Sequence, residues 1–415
     1  MNKKKLKIAV FHNLPASGAI KALKDNLSYL KSKGHHIDVY TPETSDDSFA
    51  PLNEVADNVF VYPIKKSKTR KNIIKFCNII KKTPILDSSH LYIPLKNFKK
   101  TQEKIANDID KKDYDIVLCD QDVTFTTTPA FLTFIKTPTI YYCNQPWRYN
   151  EKILITLNEK HITTTILNKI YNKFILNKYI KLDIEYAQYA KHILTNSYFS
   201  HENLLKTYGK NSLVSYLGVN TKMFYPQNRI RKNFILSVGV IHPHKGFDFI
   251  INSISKIDET IRPKFVISTY HIMKEWEKYL LNLANEKNVE LEIYKKIPND
   301  ELCKLYNEAK LVIFAPYLEA FGLVSLEALA CGTPIIGVKE GGVREIIKHN
   351  ENGLLLDRNE NIFAKGISEL LTNQEIWDKF SKNGSEYVSN YWTLEHAGQR
   401  LEDHIYRVLE EEKEE

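Results

Sequence analysis

Residues 311–345 read LVIFAPYLEAFGLVSLEALACGTPIIGVKEGGVRE, and the reading of this stretch decides the fold. Residues 311–314 are a short apolar run closed by Pro316, the pattern of a strand buried on both faces. From Phe321 to Cys331 the apolar residues Leu323, Leu326 and Leu329/Ala330 fall at helical spacing. Gly332, with Pro334 two residues on, is a helix stop. Residues 335–338, IIGV, form the next buried strand. The unit is a β-loop-α-β element whose loop holds Glu319.

A second carboxylate, Glu327, falls near the second turn of that helix, roughly 9 Å behind its start at the helical rise per residue. The start has free N–H groups on Phe321, Gly322, Leu323 and Val324, and with the helix dipole they make an anion site. A phosphate there has Glu319 on one side and Glu327 on the other, and a carboxylate accepts hydrogen bonds from hydroxyls. The layout suits a hydroxyl-rich group, a diphosphate and a second hydroxyl-rich group, the order of a nucleotide sugar. The competing reading is a strand, a capped helix and two solvated glutamates. Gly322, Gly332 and the pair Gly341 and Gly342 argue against it, because glycines clustered at strand ends mark backbone that something approaches closely.

Glu319 and Glu327 form E-x7-E inside EAFGLVSLEALACGTPIIG. This run resembles the donor-site signature of retaining GT-B glycosyltransferases of glycosyltransferase family 4 (glycosyl transferases group 1), and the family's glycine pattern continues through Gly342. The resemblance implies an α/β protein of GT-B type, two Rossmann-like doubly wound domains facing a cleft. Residues 1–212, joined by a C-terminal helix 388–415, would bind the acceptor, and residues 213–387 the donor. Glu319 would face the donor sugar, Glu327 would hold the ribose, and the amides of Ala320, Phe321, Gly322, Leu323 and Val324 would take the diphosphate. Residues 239–246, GVIHPHKG, are similar to the family's G-R-x(4)-K-G: Gly239, Lys245 and Gly246 match, while Val240 stands at the arginine position. Arg344 and His244 are candidates to replace that charge. Residues 139–148, TIYYCNQPWR, resemble Y-x-H-x-P-x-R, with Asn144 at the histidine position. Asparagine can donate a hydrogen bond but does not titrate. Ser17 and Gly18 stand where the family has a glycine pair near the acceptor. The expected sets are Glu319, Lys245 and Asn144 for catalysis, and Ser17, Gly18, Asn144 and Arg148 for the acceptor. No metal or cofactor is implied, the donor being a nucleoside diphosphate sugar.

Composition sets the bounds. A chain of 415 residues is long enough for two domains. Its five cysteines (Cys77, Cys119, Cys143, Cys303 and Cys331) are odd in number, lack metal spacing and fit a reducing cytoplasm. The apolar run 8–11 reads as a first strand rather than a signal peptide, and no run has the length to span a bilayer. The expected location is cytoplasmic, with a peripheral place on the inner face of the membrane left open. The net charge of +8 allows an acidic partner. Much of that charge lies in residues 65–100, where Lys65, Lys66, Lys68, Arg70, Lys71, Lys75, Lys81, Lys82, Lys96, Lys99 and Lys100 are interleaved with isoleucines and phenylalanines. Such a stretch suits an anionic membrane surface or a solvated helix. Nucleic acid is not expected, since no DNA or RNA module is recognisable.

Asp120-Gln121-Asp122 is a D-x-D that could hold a divalent metal, but the motif is short and common. His12, His242 and His244 make no metal set. Residues 390–407 are expected to form the last helix, and the acidic end 410–415 to fray. The function expected is retaining transfer of a sugar to a hydroxyl of a glycan or glycolipid, as in cell-surface polysaccharide or glycolipid synthesis. The alternative is a non-catalytic nucleotide-sugar or glycan binder of the same fold.

Overall fold

The computed structural model describes residues 4–66, 93–147 and 166–414, with backbone alone for 166–176. The first half carries strands β1 (Lys7–Asn13), β2 (His36–Pro42), β3 (Asn58–Tyr62), β4 (Ile116–Asp122), β5 (Thr139–Tyr142), β6 (His192–Thr195) and β7 (Leu213–Val214). Helices α1 (Gly18–Ser32), α2 (Leu95–Asp110), α3 (Ile166–Ala187) and α4 (Tyr198–Tyr208) alternate with them. The second half carries β8 (Lys232–Val238), β9 (Lys264–Thr269), β10 (Leu291–Lys295), β11 (Ala309–Phe314), β12 (Ile335–Val338) and β13 (Gly353–Leu356). Its helices are α5 (Phe247–Ile254), α6 (Lys274–Glu286), α7 (Asn299–Glu308), α8 (Leu323–Ala330), α9 (Val343–Ile346), α10 (Glu360–Thr372), α11 (Gln374–Tyr391) and α12 (Leu394–Glu414).

The strands pair in parallel to give two sheets, β3-β2-β1-β4-β5-β6-β7 and β10-β9-β8-β11-β12-β13. Both follow the third-second-first-fourth-fifth-sixth order of a doubly wound Rossmann sheet. Helices cover both faces, so the strands read as continuous apolar runs: Ile8 to Phe11 and Leu311 to Phe314 are all buried. In each sheet the order reverses between the first and fourth strands, β1 and β4 in one, β8 and β11 in the other. Crevices at such reversals open at the carboxyl ends of the strands. The expected α/β, GT-B arrangement is the one observed.

The end of the chain differs from expectation. Helix α11 stops at Tyr391 and α12 starts at Leu394, with Trp392 between them. The break lets the chain cross from the second half to the first: Val219 N–H donates to Trp392 O at 2.8 Å, and Val219 bridges Thr393 in parallel. A Cβ on Gly218 would lie 2.3 Å from Thr393 O, so glycine is required at this crossing. The acidic end does not fray: α12 is helical to Glu414. Glu412 accepts from Lys191 at 2.8 Å and His192 Nε2 at 2.7 Å, and Glu411 pairs with Arg407 at 2.9 Å. These partners give the terminal acids a reason to stay ordered.

Helix α12 packs on α1. The Tyr29 hydroxyl donates to Gln399 Oε1 at 2.7 Å, and buried His35 meets buried Glu402 at 3.0 Å. A Cβ on Gly398 would lie 2.0 Å from Tyr29 Cγ. Gly398→Ala should therefore destabilise the fold by about 1–3 kcal/mol, read as a lower urea midpoint. Gly18→Ala, whose Cβ meets nothing within 4 Å, should leave the midpoint in place.

Candidate functional site

The carboxyl ends of the two sheets face each other across a cavity of about 500 Å³. Ser17, Gly18, Asn144, Gly239, Lys245, residues 319–324 and Glu327 all line it. These are the residues singled out from the sequence, with one exception: Arg148 lies outside the described residues. Val240 and His244 also line the cavity. Arg344 does not fill the charge position; it is exposed, with its Nε on Gly341 O at 3.0 Å.

The loop between β11 and α8 is held from below. Leu318 has φ of 52° and Gly322, at the helix cap, 108°. A Cβ on Gly341 would lie 2.3 Å from Glu319 O, and one on Gly342 would lie 2.2 Å from Ala320 O. Gly342 N–H donates to Glu319 O at 2.8 Å. What approaches the glycine pair is the protein's own glutamate loop, rather than a ligand. The Arg358 guanidinium braces the preceding residues: it donates to Ala315 O at 2.9 Å and Pro316 O at 2.8 Å and lies 3.7 Å from the Tyr317 ring centre. Glu340 holds that guanidinium at 2.8 and 2.9 Å.

Each glutamate faces a lysine. Lys245 follows β8 in a turn at Pro243–Lys245, and its Nζ donates to Glu319 Oε2 at 2.7 Å. Lys21, in the second turn of α1, reaches from the opposite half to Glu327 Oε1 at 2.9 Å. The Tyr306 hydroxyl of α7 donates to Glu327 Oε2 at 2.9 Å. Burial works to lower the Lys21 ammonium, but Glu327 overrides it and holds the group above its ordinary range. His242 is pushed down by burial and by Lys245, so the contact between the His242 and His244 rings at 2.6 Å adds no charge through His242 at neutral pH. Lys21, Tyr306 and Arg358 were not visible from local spacing; their partners lie far along the chain.

On the opposite wall Asn144 is fixed at both ends of its amide. Its Nδ2 donates to Asp120 Oδ1 at 3.3 Å and its Oδ1 accepts from Asn196 Nδ2 at 3.4 Å. Ser17 caps α1, accepting from Ala19 N–H at 3.3 Å, and Gly18 leaves open space beside it. Contacts between the halves frame the cavity. Ser197 Oγ donates to Ala320 O at 2.6 Å, His271 Nε2 lies 3.1 Å from Ala16 O, and Phe49 packs edge-on to Tyr270 at 5.0 Å. Glu345 accepts from Tyr198 N–H and Phe199 N–H at 2.9 Å, capping the first turn of α4.

The D-x-D carboxylates serve separate protein networks. Asp122 accepts from Asn13 Nδ2 at 2.8 Å, Gln102 Nε2 at 2.6 Å and Thr124 N–H at 2.8 Å. Asp120 accepts from Gln121 N–H at 2.7 Å besides Asn144. Among the described residues no cluster of three or more His, Cys, Asp or Glu is placed to hold a metal, and no helix is long and apolar enough to cross a membrane. Cys119, Cys143, Cys303 and Cys331 are free and buried; Cys77 lies outside the described residues. Of the basic stretch, Lys66 pairs with Glu43 at 3.0 Å and Lys99 lies over the Phe134 and Tyr186 rings. Lys68, Arg70, Lys71, Lys75, Lys81 and Lys82 lie outside the described residues.

Comparison with known proteins agrees with this geometry. Residues 221–387 match the family described as Glycosyl transferases group 1. An uncharacterized glycosyltransferase of Methanocaldococcus jannaschii is 31% identical over 181 residues, 43% of this chain and 49% of that protein. The match thus spans about half the length of that relative. Anabaena HepE, solved with UDP and glucose, superposes with a TM-score of 0.71 at 14% identity, covering 97% of this chain and 100% of that one. WaaG, a glycosyltransferase involved in lipopolysaccharide biosynthesis, superposes with a TM-score of 0.66 at 14% identity, covering 96% and 99%. The chain has the GT-B fold, and its residues 221–387 match the Glycosyl transferases group 1 family.

Proposed function

We propose that this protein transfers a glycosyl group from a nucleoside diphosphate sugar to a hydroxyl of a glycan or glycolipid, with retention and without a metal. The observation that carries the reading is the single cavity in which Glu319, Glu327, Lys245 and the start of α8 converge. The free amides at that start and the Lys245 ammonium meet the diphosphate and the charge that builds on it as it leaves. Glu319 then orients the sugar and Glu327 the ribose, each accepting from hydroxyls. The C1–O bond to the diphosphate breaks while the acceptor oxygen bonds to C1 on the same face. The acceptor proton passes to a diphosphate oxygen, because Asn144 does not titrate. In this reading the donor is held by residues 213–387, less Leu213–Val214, which pair into the first sheet as β7, and the acceptor by residues 1–212 with 388–415, beside Ser17, Gly18, Asn144 and Arg148. The UDP and glucose in HepE and the lipopolysaccharide role of WaaG support the donor class and a place in surface-polysaccharide synthesis. A cytoplasmic location, with residues 65–100 against an anionic membrane surface, belongs to the same proposal.

Metal independence rests on the state of the D-x-D acids. Burial pushes the Asp120 carboxyl up to about 7 against the lowering hydrogen bonds of Gln121 and Asn144, and Asp122 likewise to about 7. Both carboxyls are buried and already accept hydrogen bonds from protein donors, which places them poorly as metal ligands.

Transfer assayed with a panel of UDP-, GDP- and ADP-sugars should proceed undiminished in excess EDTA; a rate lost to EDTA and restored by a divalent ion would remove the metal-free mechanism. Glu319→Gln should lower kcat by about 100-fold with the melting temperature kept, since it misplaces the sugar rather than the fold. Equal turnover by the purified variant would reject its role. Asp120 contributes stability that is full below its ordinary value of 3.8 and is lost as pH rises through about 7. Relative to wild type, Asp120→Asn should therefore gain stability as pH rises from about 4 to about 7, by at most about 1.4 kcal/mol per pH unit, and level off above, measured by urea unfolding. A flat difference would show an acid already ionised in the fold.

A further inference from the structure

Among the described residues the ammonium groups lining the cavity are those of Lys21, Lys245 and Lys296, and the carboxylates are those of Glu319 and Glu327. Lys296 is exposed, at the end of β10, with its Nζ 5.6 Å from the Tyr270 ring centre. Val240 follows β8 on the cavity wall and offers no charge there. The two inner lysines are each bound to one of the two glutamates, one lysine from each half of the molecule. A diphosphate brings negative charge between those pairs, and sugar hydroxyls bring acceptable partners for the glutamates.

We propose that Lys21, carried into the cleft by α1 of the opposite half, exchanges Glu327 for the donor diphosphate and supplies its second cation. This rests on the donor reading above. When ribose hydroxyls take Glu327 Oε1, the Lys21 side chain, 21% exposed at the cavity, loses the acceptor it holds in the free protein and can donate to the diphosphate instead. The start of α8 lies only about 6 Å along the helix axis from Glu327, one helical turn. The side chain is aimed across the cleft, its Nζ 5.1 Å from the ring centre of buried Phe224. Asp25, one turn further along α1, is the other carboxyl near it; it carries at most one negative charge, fewer than a diphosphate, and burial pushes it up against the pull of Lys21. Each lysine thus trades a carboxylate for a phosphate, and each glutamate trades a lysine for a hydroxyl. The donor then draws the two halves together through its own charge.

The test is calorimetric binding of UDP, GDP and the parent nucleosides to the full chain as wild type, Lys21→Met, Lys21→Arg and Lys21→Met with Val240→Arg. Lys21→Met should weaken the better-bound nucleoside diphosphate by about 10-fold or more, the loss of one charge-assisted hydrogen bond. Nucleoside binding should hold or tighten, because Glu327 is freed. Lys21→Arg should retain diphosphate affinity, and Val240→Arg should restore most of what Lys21→Met loses, by placing a cation on the other wall. Diphosphate binding by Lys21→Met equal to or tighter than wild type would overturn the assignment and leave Lys21 as a plug on Glu327. Should Lys21→Met not fold, Lys21→Gln takes its place with the same expected loss. A wild type that binds neither diphosphate would instead overturn the donor reading itself.

Discussion

A carboxylate drawn out of water gains from a nearby counter-charge, and the cleft meets two of them, half-buried Glu319 and buried Glu327, with one lysine each. Glu319 finds its cation within its own half, in Lys245, and Glu327 finds one across the cleft, in Lys21. These pairs fix the depth of the cavity and the direction in which both acids point. They also leave the start of α8 facing open space, where an anion gains from N–H groups that the fold does not satisfy. In the proposed donor reading the energetic logic of the site is replacement: the ligand brings hydroxyls for the acids and negative charge for the lysines together. A nucleoside or a phosphate alone brings only one of these.

The scaffold supplies the stiffness that such replacement requires. Gly341 and Gly342 bear directly on the backbone of Glu319 and Ala320, and Arg358 ties down the residues leading into the loop. The loop is thereby over-determined by contacts on the side away from the cavity. On the facing wall Asn144 is held at both amide ends by Asp120 and Asn196. Neither wall depends on the ligand for its shape, which favours binding with little ordering cost.

Much of this was legible in the chain. Apolar runs closed by glycine and proline showed single β-loop-α-β units, and the resemblance of the E-x7-E run to the group 1 glycosyltransferases implied the two doubly wound sheets. Glu319, Glu327 and the helix start could be placed because they are neighbours in sequence, and Lys245 because residues 239–246 resemble the family's G-R-x(4)-K-G. The Lys21–Glu327 pair, with partners 306 residues apart, could not, since helical spacing says which face of α1 is apolar but not what the polar edge meets. The glycine pair showed that something approaches its backbone closely, but not what: the structure puts the protein's own Glu319–Ala320 backbone there. The acidic end looked like a solvated tail because its partners, Lys191 and His192, come from a distant strand.

The crossing at Val219 and Thr393 bears on how the halves can move. The chain passes between them twice, and the two passages lie side by side, joined by a backbone hydrogen bond and packed without room for a side chain on Gly218. Two passages of backbone joined at one place make that crossing a shared support, so any change in the angle between the cleft walls has to be taken up in the backbone around Val219 and Thr393.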